Sequence, residues 1–214
     1  MDGVAKYYNN KSDYGISSTR LNRIVELCGG VNNKRILDVG CGNGVLGKTL
    51  IDKGAIVDGC DLSGDAIDGA AKVLNKAFIF DIENDNYKDI EKNYDIVIAT
   101  EVIEHLFLPE LFIKNIKNLV KENGLIIITT PNFLMWTLRL RMLFGQFEYT
   151  ESGFWDRGHI HFFTYKTFLK TLIENGLTIE QENHIFHPKI PLSIARLKPG
   201  LFGYQFIVSA KKHS

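Results

Sequence analysis

Asp38, Gly40, Gly42 and Gly44 fall within the run RILDVGCGNGVLGKTL, Arg35 to Leu50, and their types and order are those of a ligand cradle, with Cys41 inside the turn. Glycine has no Cβ and tolerates positive φ. Where a strand feeds a helix N-terminus, a nucleotide-sized molecule can therefore lie directly against the chain. Gly42, Gly44 and Gly47 also satisfy G-x-G-x-x-G, and Asp61 follows at the ~20-residue spacing of a dinucleotide site. Asp38 argues for another ligand. A carboxylate beside the turn repels an anionic pyrophosphate in a partly desolvated pocket and attracts a cation.

S-adenosylmethionine carries an ammonium, a sulfonium and no phosphate, which is the charge this turn selects; a strand-to-helix turn that only packs is the plain alternative. Further candidates fall where strands should end. Asp61, followed by Leu62, can accept hydrogen bonds from both ribose hydroxyls, or it can cap a helix, a role for which Ser63 competes. Asp81 can accept the adenine amine while Ile82 packs on the ring, or it can simply form a turn. Thr100, Glu101 and Val102 should leave the fourth strand beneath the methionyl part of the ligand.

Glu101 and His105 are four apart, so a helix there would put both on one face and make His105 a candidate general base. The alternative is a histidine that orders the loop by bonding to Glu101. His159 and His161, one residue apart, point to one side of an extended chain, with Asp156 and Arg157 just before them. Acceptor binding or proton transfer, structural bonding near Trp155, and metal ligation all remain open for this pair. The third needs a further ligand that the spacing does not reveal. No metal is assigned, and His184 and His187 receive no role.

These residues need a frame to hold them. Apolar runs of strand length alternate with helical patterns, the signature of βαβ units and a parallel sheet covered on both faces. Strands are expected at Arg35 to Val39, Ala55 to Cys60, Ala77 to Asp81, Tyr94 to Thr100 and Gly124 to Thr130. Helices are expected at Asn43 to Lys53, Gly64 to Asn75 and Pro109 to Val120, with Gly54 and Gly124 as C-caps. A helix at Tyr165 to Asn175 and strands at Leu177 to Asn183 and Tyr204 to Lys211 complete the chain. The strand ends converge on the switch point where open α/β sheets bind ligands.

The chain has 214 residues, 45% of them hydrophobic, enough for one sizeable core. Twenty-five basic residues balance twenty-five acidic ones, so no long-range field gathers nucleic acid, which is not expected as a partner. Cys28, Cys41 and Cys60 lack C-x-x-C spacing and read as free thiols in a reducing compartment. With no signal-peptide core and no ~18-residue apolar run, a cytoplasmic location is expected.

LDVGCGNG, then CDLS (Cys60 to Ser63), FDIEN (Phe80 to Asn84), YDIVIATEVIEHL (Tyr94 to Leu106) and ENGLIIITTPN (Glu122 to Asn132) resemble the ordered motifs of class I S-adenosylmethionine-dependent methyltransferases. Within that family the series is most similar to the small-molecule, ubiquinone-pathway O-methyltransferase type. RGHIHFFTYKTF, Arg157 to Phe168, resembles more loosely a pattern in methyltransferase-like proteins of surface-polysaccharide synthesis. The resemblance implies a doubly wound α/β fold with a mostly parallel seven-stranded sheet and an antiparallel last strand. It also implies an N-terminal flap in which Tyr7, Tyr8 and Tyr14 close over the cofactor and Arg20 pairs with its carboxylate; surface packing is the alternative for each.

The expected division is an N-terminal flap and helix at 1–34, a cofactor-binding core at 35–132, an acceptor-binding insertion at 133–164 and a C-terminal completion of the sheet at 165–214. FLMWTLRLRMLF, Phe133 to Phe144, is apolar except for Thr137, Arg139 and Arg141, and the two arginines lie ~200° apart on a helix. A lid over the acceptor, a dimer contact and a shallow membrane-surface anchor all fit it. The function expected is methyl transfer from S-adenosylmethionine to an oxygen of a small-molecule, lipid-precursor or glycan acceptor. Methyl transfer asks chiefly for positioning, and histidines near the cleft favour an acceptor that must lose a proton. An NAD-dependent oxidoreductase and a non-catalytic S-adenosylmethionine-binding protein are the alternatives.

Overall fold

The computed structural model describes residues 16–84 and 86–212; Tyr7, Tyr8 and Tyr14 lie outside them. A first helix α1 (Ser18–Cys28), capped by the Ser17 side chain, precedes the alternating series β1 (Arg35–Val39), α2 (Val45–Ile51), β2 (Ile56–Asp61), α3 (Gly64–Ala70), β3 (Lys76–Ile79), β4 (Tyr94–Thr100), α4 (Pro109–Leu119) and β5 (Val120–Pro131). Then follow α5 (Trp136–Leu143), α6 (Tyr165–Glu174), β6 (Leu177–Glu182), β7 (Ile185–Phe186), α7 (Leu192–Leu197), α8 (Pro199–Phe202) and β8 (Gly203–Lys212). No described helix is long and apolar enough to cross a membrane.

The sheet runs β3-β2-β1-β4-β5-β8-β6. The first five strands are mutually parallel, and β8 is antiparallel to both β5 and β6. All seven expected strands are present. The two-residue β7, pairing with the long β8, adds an eighth that is too short to show a period in sequence. Order reverses at β1, with β2 on one side and β4 on the other, so the crevice opens beyond Val39 as expected for a switch point.

Alternation along each strand fills two cores. Leu37, Val39 and Val97 pack with Phe112, Ile113, Phe168 and Phe206 on one face. Ile36, Ile96, Ile98 and Ile127 pack with Ile24 and Leu50 on the other. Each such burial contributes ~1.5–3 kcal/mol, which is how the central sheet is held between helices.

Two helix boundaries move for local reasons. α2 begins at Val45 because Gly44 stands before it at φ 83, and the Gly64 helix ends at Ala70 and continues only as turns. Gly54 has the positive φ of a helix-terminating turn, at 89. Gly124 does not cap α4: it lies inside β5, where a Cβ would sit 2.9 Å from the Asp95 carbonyl.

Candidate functional site

The turn after β1 is built as a backbone cradle. Gly40, Gly42 and Gly44 have φ of 70, 53 and 83. The Gly40 and Cys41 N–H groups both donate to the Cys60 carbonyl, at 2.8 and 3.0 Å, which ties the turn to the end of β2. A Cβ on Gly40 would lie 2.5 Å from Val102 Cγ2, so this glycine lets the turn approach the end of β4. Gly47 has another task. Its Cβ would meet Leu74 Cδ2 at 2.4 Å, so the last glycine of the dinucleotide-like spacing serves helix packing. Cys28, Cys41 and Cys60 are buried free thiols whose pKa burial raises, and they are poor nucleophiles.

Two carboxylates face this cradle. Asp38 is 1% exposed and its Oδ2 has no hydrogen-bond partner. Burial, and then the charge of Asp61, push its carboxyl up to about 7. Asp61 Oδ2 accepts from the Gly42 N–H and Oδ1 from the Ser63 N–H, both at 2.9 Å. Burial raises Asp61, while the N–H groups of Ser63, Gly42 and Leu62 oppose the rise. The Ser63 side chain, not Asp61, caps α3 by accepting from the Ala66 N–H. A buried acid without a partner next to a second acid is a poor berth for a phosphate and a good one for an ammonium or a set of hydroxyl donors.

Asp81 forms a turn. Its Oδ1 accepts from the Glu83 and Asn84 N–H groups and its Oδ2 from the Asn84 amide. Ile82 packs against the core, and its carbonyl accepts from the Tyr87 hydroxyl at 2.6 Å. At the end of β4, Thr100 Oγ1 is buried without a partner, and beyond the strand Val102 is buried beside the cradle.

Glu101 departs from the expected helix. It has φ 55, and its N–H donates to Thr129 Oγ1, whose hydroxyl donates in turn to Glu101 Oε1. Left-handed backbone at Glu101 breaks the i,i+4 relation with His105, and a single 3₁₀ turn, Ile103–His105, follows instead. Arg20 from α1 lies at this site, with Nη2 3.4 Å from Glu101 Oε2 and Nε donating to Gln205 Oε1 at 2.8 Å.

His105 Nδ1 bonds to the Gly158 carbonyl at 2.8 Å. A carbonyl only accepts, so Nδ1 carries the proton and Nε2 is the basic nitrogen of the neutral ring. His159 has the same tautomer through the Phe154 carbonyl at 3.3 Å, and the two imidazoles meet edge to face at 4.7 Å. His161 does not join them. Its ring stacks on Phe163, while its N–H and that of Ile160 both donate to the Glu104 carbonyl at 2.9 Å. Asp156 is buried and accepts from the Gly158 N–H at 2.7 Å, and Arg157 pairs with Glu151.

Glu104 is the residue that sequence reasoning missed. It is fully buried, neither side-chain oxygen has a hydrogen-bond partner, and burial followed by the charge of Glu101 holds its carboxyl well above the ordinary range. Ligand atoms of Glu104, His105 and His159 lie within 4.8 Å of one another, so this group has the donor types and spacing to hold a metal ion as well as to move a proton. An acid between Ile103 and Leu106 in an apolar stretch was the available signal, since such an acid is rarely buried without purpose.

The family profile described as a methyltransferase domain matches residues 15–182. The chain belongs to the methyltransferase domain family. This methyltransferase domain is similar to the ubiquinone biosynthesis O-methyltransferase of Glaesserella parasuis, 35% identical over 127 residues, which are 55% of this chain and 53% of that protein. The chain thus spans about half the length of the curated relatives it matches. In fold it is similar to an S-adenosylmethionine-dependent methyltransferase from Clostridium acetobutylicum, with TM-score 0.68, 17% identity and coverage of 100% of this chain and 99% of that one. It is likewise similar to magnesium protoporphyrin IX methyltransferase from Synechocystis with bound SAH, with TM-score 0.66, 18% identity and coverage of 98% of each chain.

Proposed function

We propose that this methyltransferase domain moves a methyl group from S-adenosylmethionine to an oxygen of a small-molecule, lipid-precursor or glycan acceptor. The observation that carries the reading is the buried Asp38 Oδ2, without a partner beside three positive-φ glycines. It suits a cationic adenosine derivative and disfavours the dinucleotide of an oxidoreductase. Bound there, the cofactor supplies a methyl already activated by its sulfonium. The protein's share is then placement and one proton. Asp61, already gripping the Gly42 and Ser63 N–H groups, takes the ribose hydroxyls, and Asp38 faces the cationic end. Gly40, Cys41, Gly42 and Gly44 present backbone, Leu62 and Ile82 flank the purine, and Thr100, Glu101 and Val102 line the methionyl side.

His105 and His159 present basic Nε2 atoms, and one of them accepts the acceptor hydroxyl's proton as its oxygen attacks the methyl. His161, turned onto Phe163, is assigned no proton. Residues 133–164 form the acceptor side in this reading. The O-methyltransferase names of the similar proteins support an oxygen acceptor.

Calorimetry with S-adenosylhomocysteine and with NADH tests the cofactor: binding of NADH alone overturns the reading. Turnover of labelled S-adenosylmethionine with hydroxylated acceptors tests transfer. A domain that binds the cofactor tightly yet methylates none of a broad panel of phenols, quinols and glycans is a binding protein.

A further inference from the structure

Leu197, Leu143 and Phe144, at 81, 77 and 76%, are the most exposed large apolar side chains among the described residues. They come from two separate segments. On α5, Leu140, Leu143 and Phe144 fall at helical spacing on one face, opposite Met135 and Leu138, which are buried against Trp155. On α7, Leu192, Ile194 and Leu197 are exposed while Ala195 is buried.

α5 touches both ends of the chain segment that contains α7. Trp136 meets His187 ring to ring at 5.7 Å, and Arg139 Nη2 donates to the Gly200 carbonyl at 3.2 Å. The two helices are therefore neighbours on one side of the molecule.

Charge on these segments is one-sided. Residues 133–147 and 187–202 contain Arg139, Arg141, Lys189, Arg196 and Lys198 and no aspartate or glutamate, in a chain whose acids and bases balance overall. Lys189, Arg196 and Lys198 are exposed and have no ion-pair partner among the described residues. A second copy of the chain would bring like charges together, which disfavours a self-contact.

We propose that α5 and α7 together form a docking face for an anionic lipid bilayer. Their leucines and Phe144 enter the headgroup boundary, and Lys189, Arg196 and Lys198 meet lipid phosphates. Neither helix crosses the bilayer, since none among the described residues has the length. This face stands independently of the reaction proposed above.

The test is co-sedimentation of the full chain with vesicles of phosphatidylcholine alone and of phosphatidylcholine mixed with phosphatidylglycerol, with light scattering of the free protein. The chain should pellet with the anionic vesicles and be released by salt. Leu143→Asp with Leu197→Asp should weaken partitioning by about tenfold or more. Arg196→Gln with Lys198→Gln should weaken it while leaving the apolar side chains in place. All of these positions are exposed, so circular dichroism should be unchanged. The proposal is overturned if the chain ignores anionic vesicles, binds neutral ones equally well at all salt concentrations, or keeps its partitioning in both variants. It is also overturned if the chain leaves vesicles alone and forms a dimer that the leucine variant dissociates.

Discussion

Replacing Asp38 by asparagine should strengthen the empty protein and weaken its grip on the cofactor. Burial lifts this carboxyl from an ordinary 3.8 to about 7, so the native state at neutral pH keeps the ionised form at a cost of up to about 4 kcal/mol, at ~1.36 kcal/mol per tenfold step in acidity. The sign follows from proton linkage. Between those two values the folded protein holds a proton that the unfolded chain has lost, so stability falls as pH rises through the window and the loss is complete above about 7. Asparagine keeps the shape and never ionises. Urea unfolding of both proteins should therefore show a stability difference in favour of Asp38→Asn that is small at pH 4 and grows to as much as about 4 kcal/mol at pH 8. Calorimetry at pH 8 should show the opposite trend. Loss of a charge-assisted contact worth ~1.5–3 kcal/mol weakens S-adenosylhomocysteine by about 10- to 150-fold. Parallel pH dependences in the two proteins, or equal affinities, would refute the electrostatic account of the cradle.

Three further substitutions probe neighbouring parts of the site. Asp61→Ala removes the acceptor for the Gly42 and Ser63 N–H groups and should weaken cofactor binding by ~1.5–3 kcal/mol in the same calorimetric assay; unchanged affinity takes Asp61 out of the site. His105→Ala and His159→Ala should lower turnover by ~10²–10⁴-fold where the residue is the base, with cofactor affinity nearly intact; wild-type rates in both would exclude proton transfer by this pair. Gly40→Ala sets a Cβ 2.5 Å from Val102 Cγ2 at φ 70 and should cost at least ~1–2 kcal/mol in urea unfolding, and a stability equal to wild type would show that the turn relaxes freely.

The parts of this chain written in local pattern were legible in advance. β1 and β4 begin and end where the predominantly apolar runs Arg35 to Val39 and Tyr94 to Thr100 do, because a strand buried on both faces is apolar along most of its length. The glycine cradle was equally plain, since positive φ at Gly40, Gly42 and Gly44 leaves a compositional mark. What depended on tertiary closure was hidden. Glu101 adopts a left-handed backbone although it is not glycine, held by Thr129 and Arg20, and no spacing rule foretells that. His159 reaches His105 because residues 158–161 bond back to the 103–105 turn, a pairing of segments more than fifty residues apart in which Glu104 is buried. Asp81 could be read for either role, and the local turn took its Oδ1.

The Glu104 carbonyl holds the Ile160 and His161 N–H groups while the Gly158 carbonyl holds His105, so residues 158–161 and the turn after β4 are laced together by three bonds. A loop transplanted in place of residues 158–161 must therefore bring its own matching 103–105 turn, or the His105 and His159 rings lose their mutual placement.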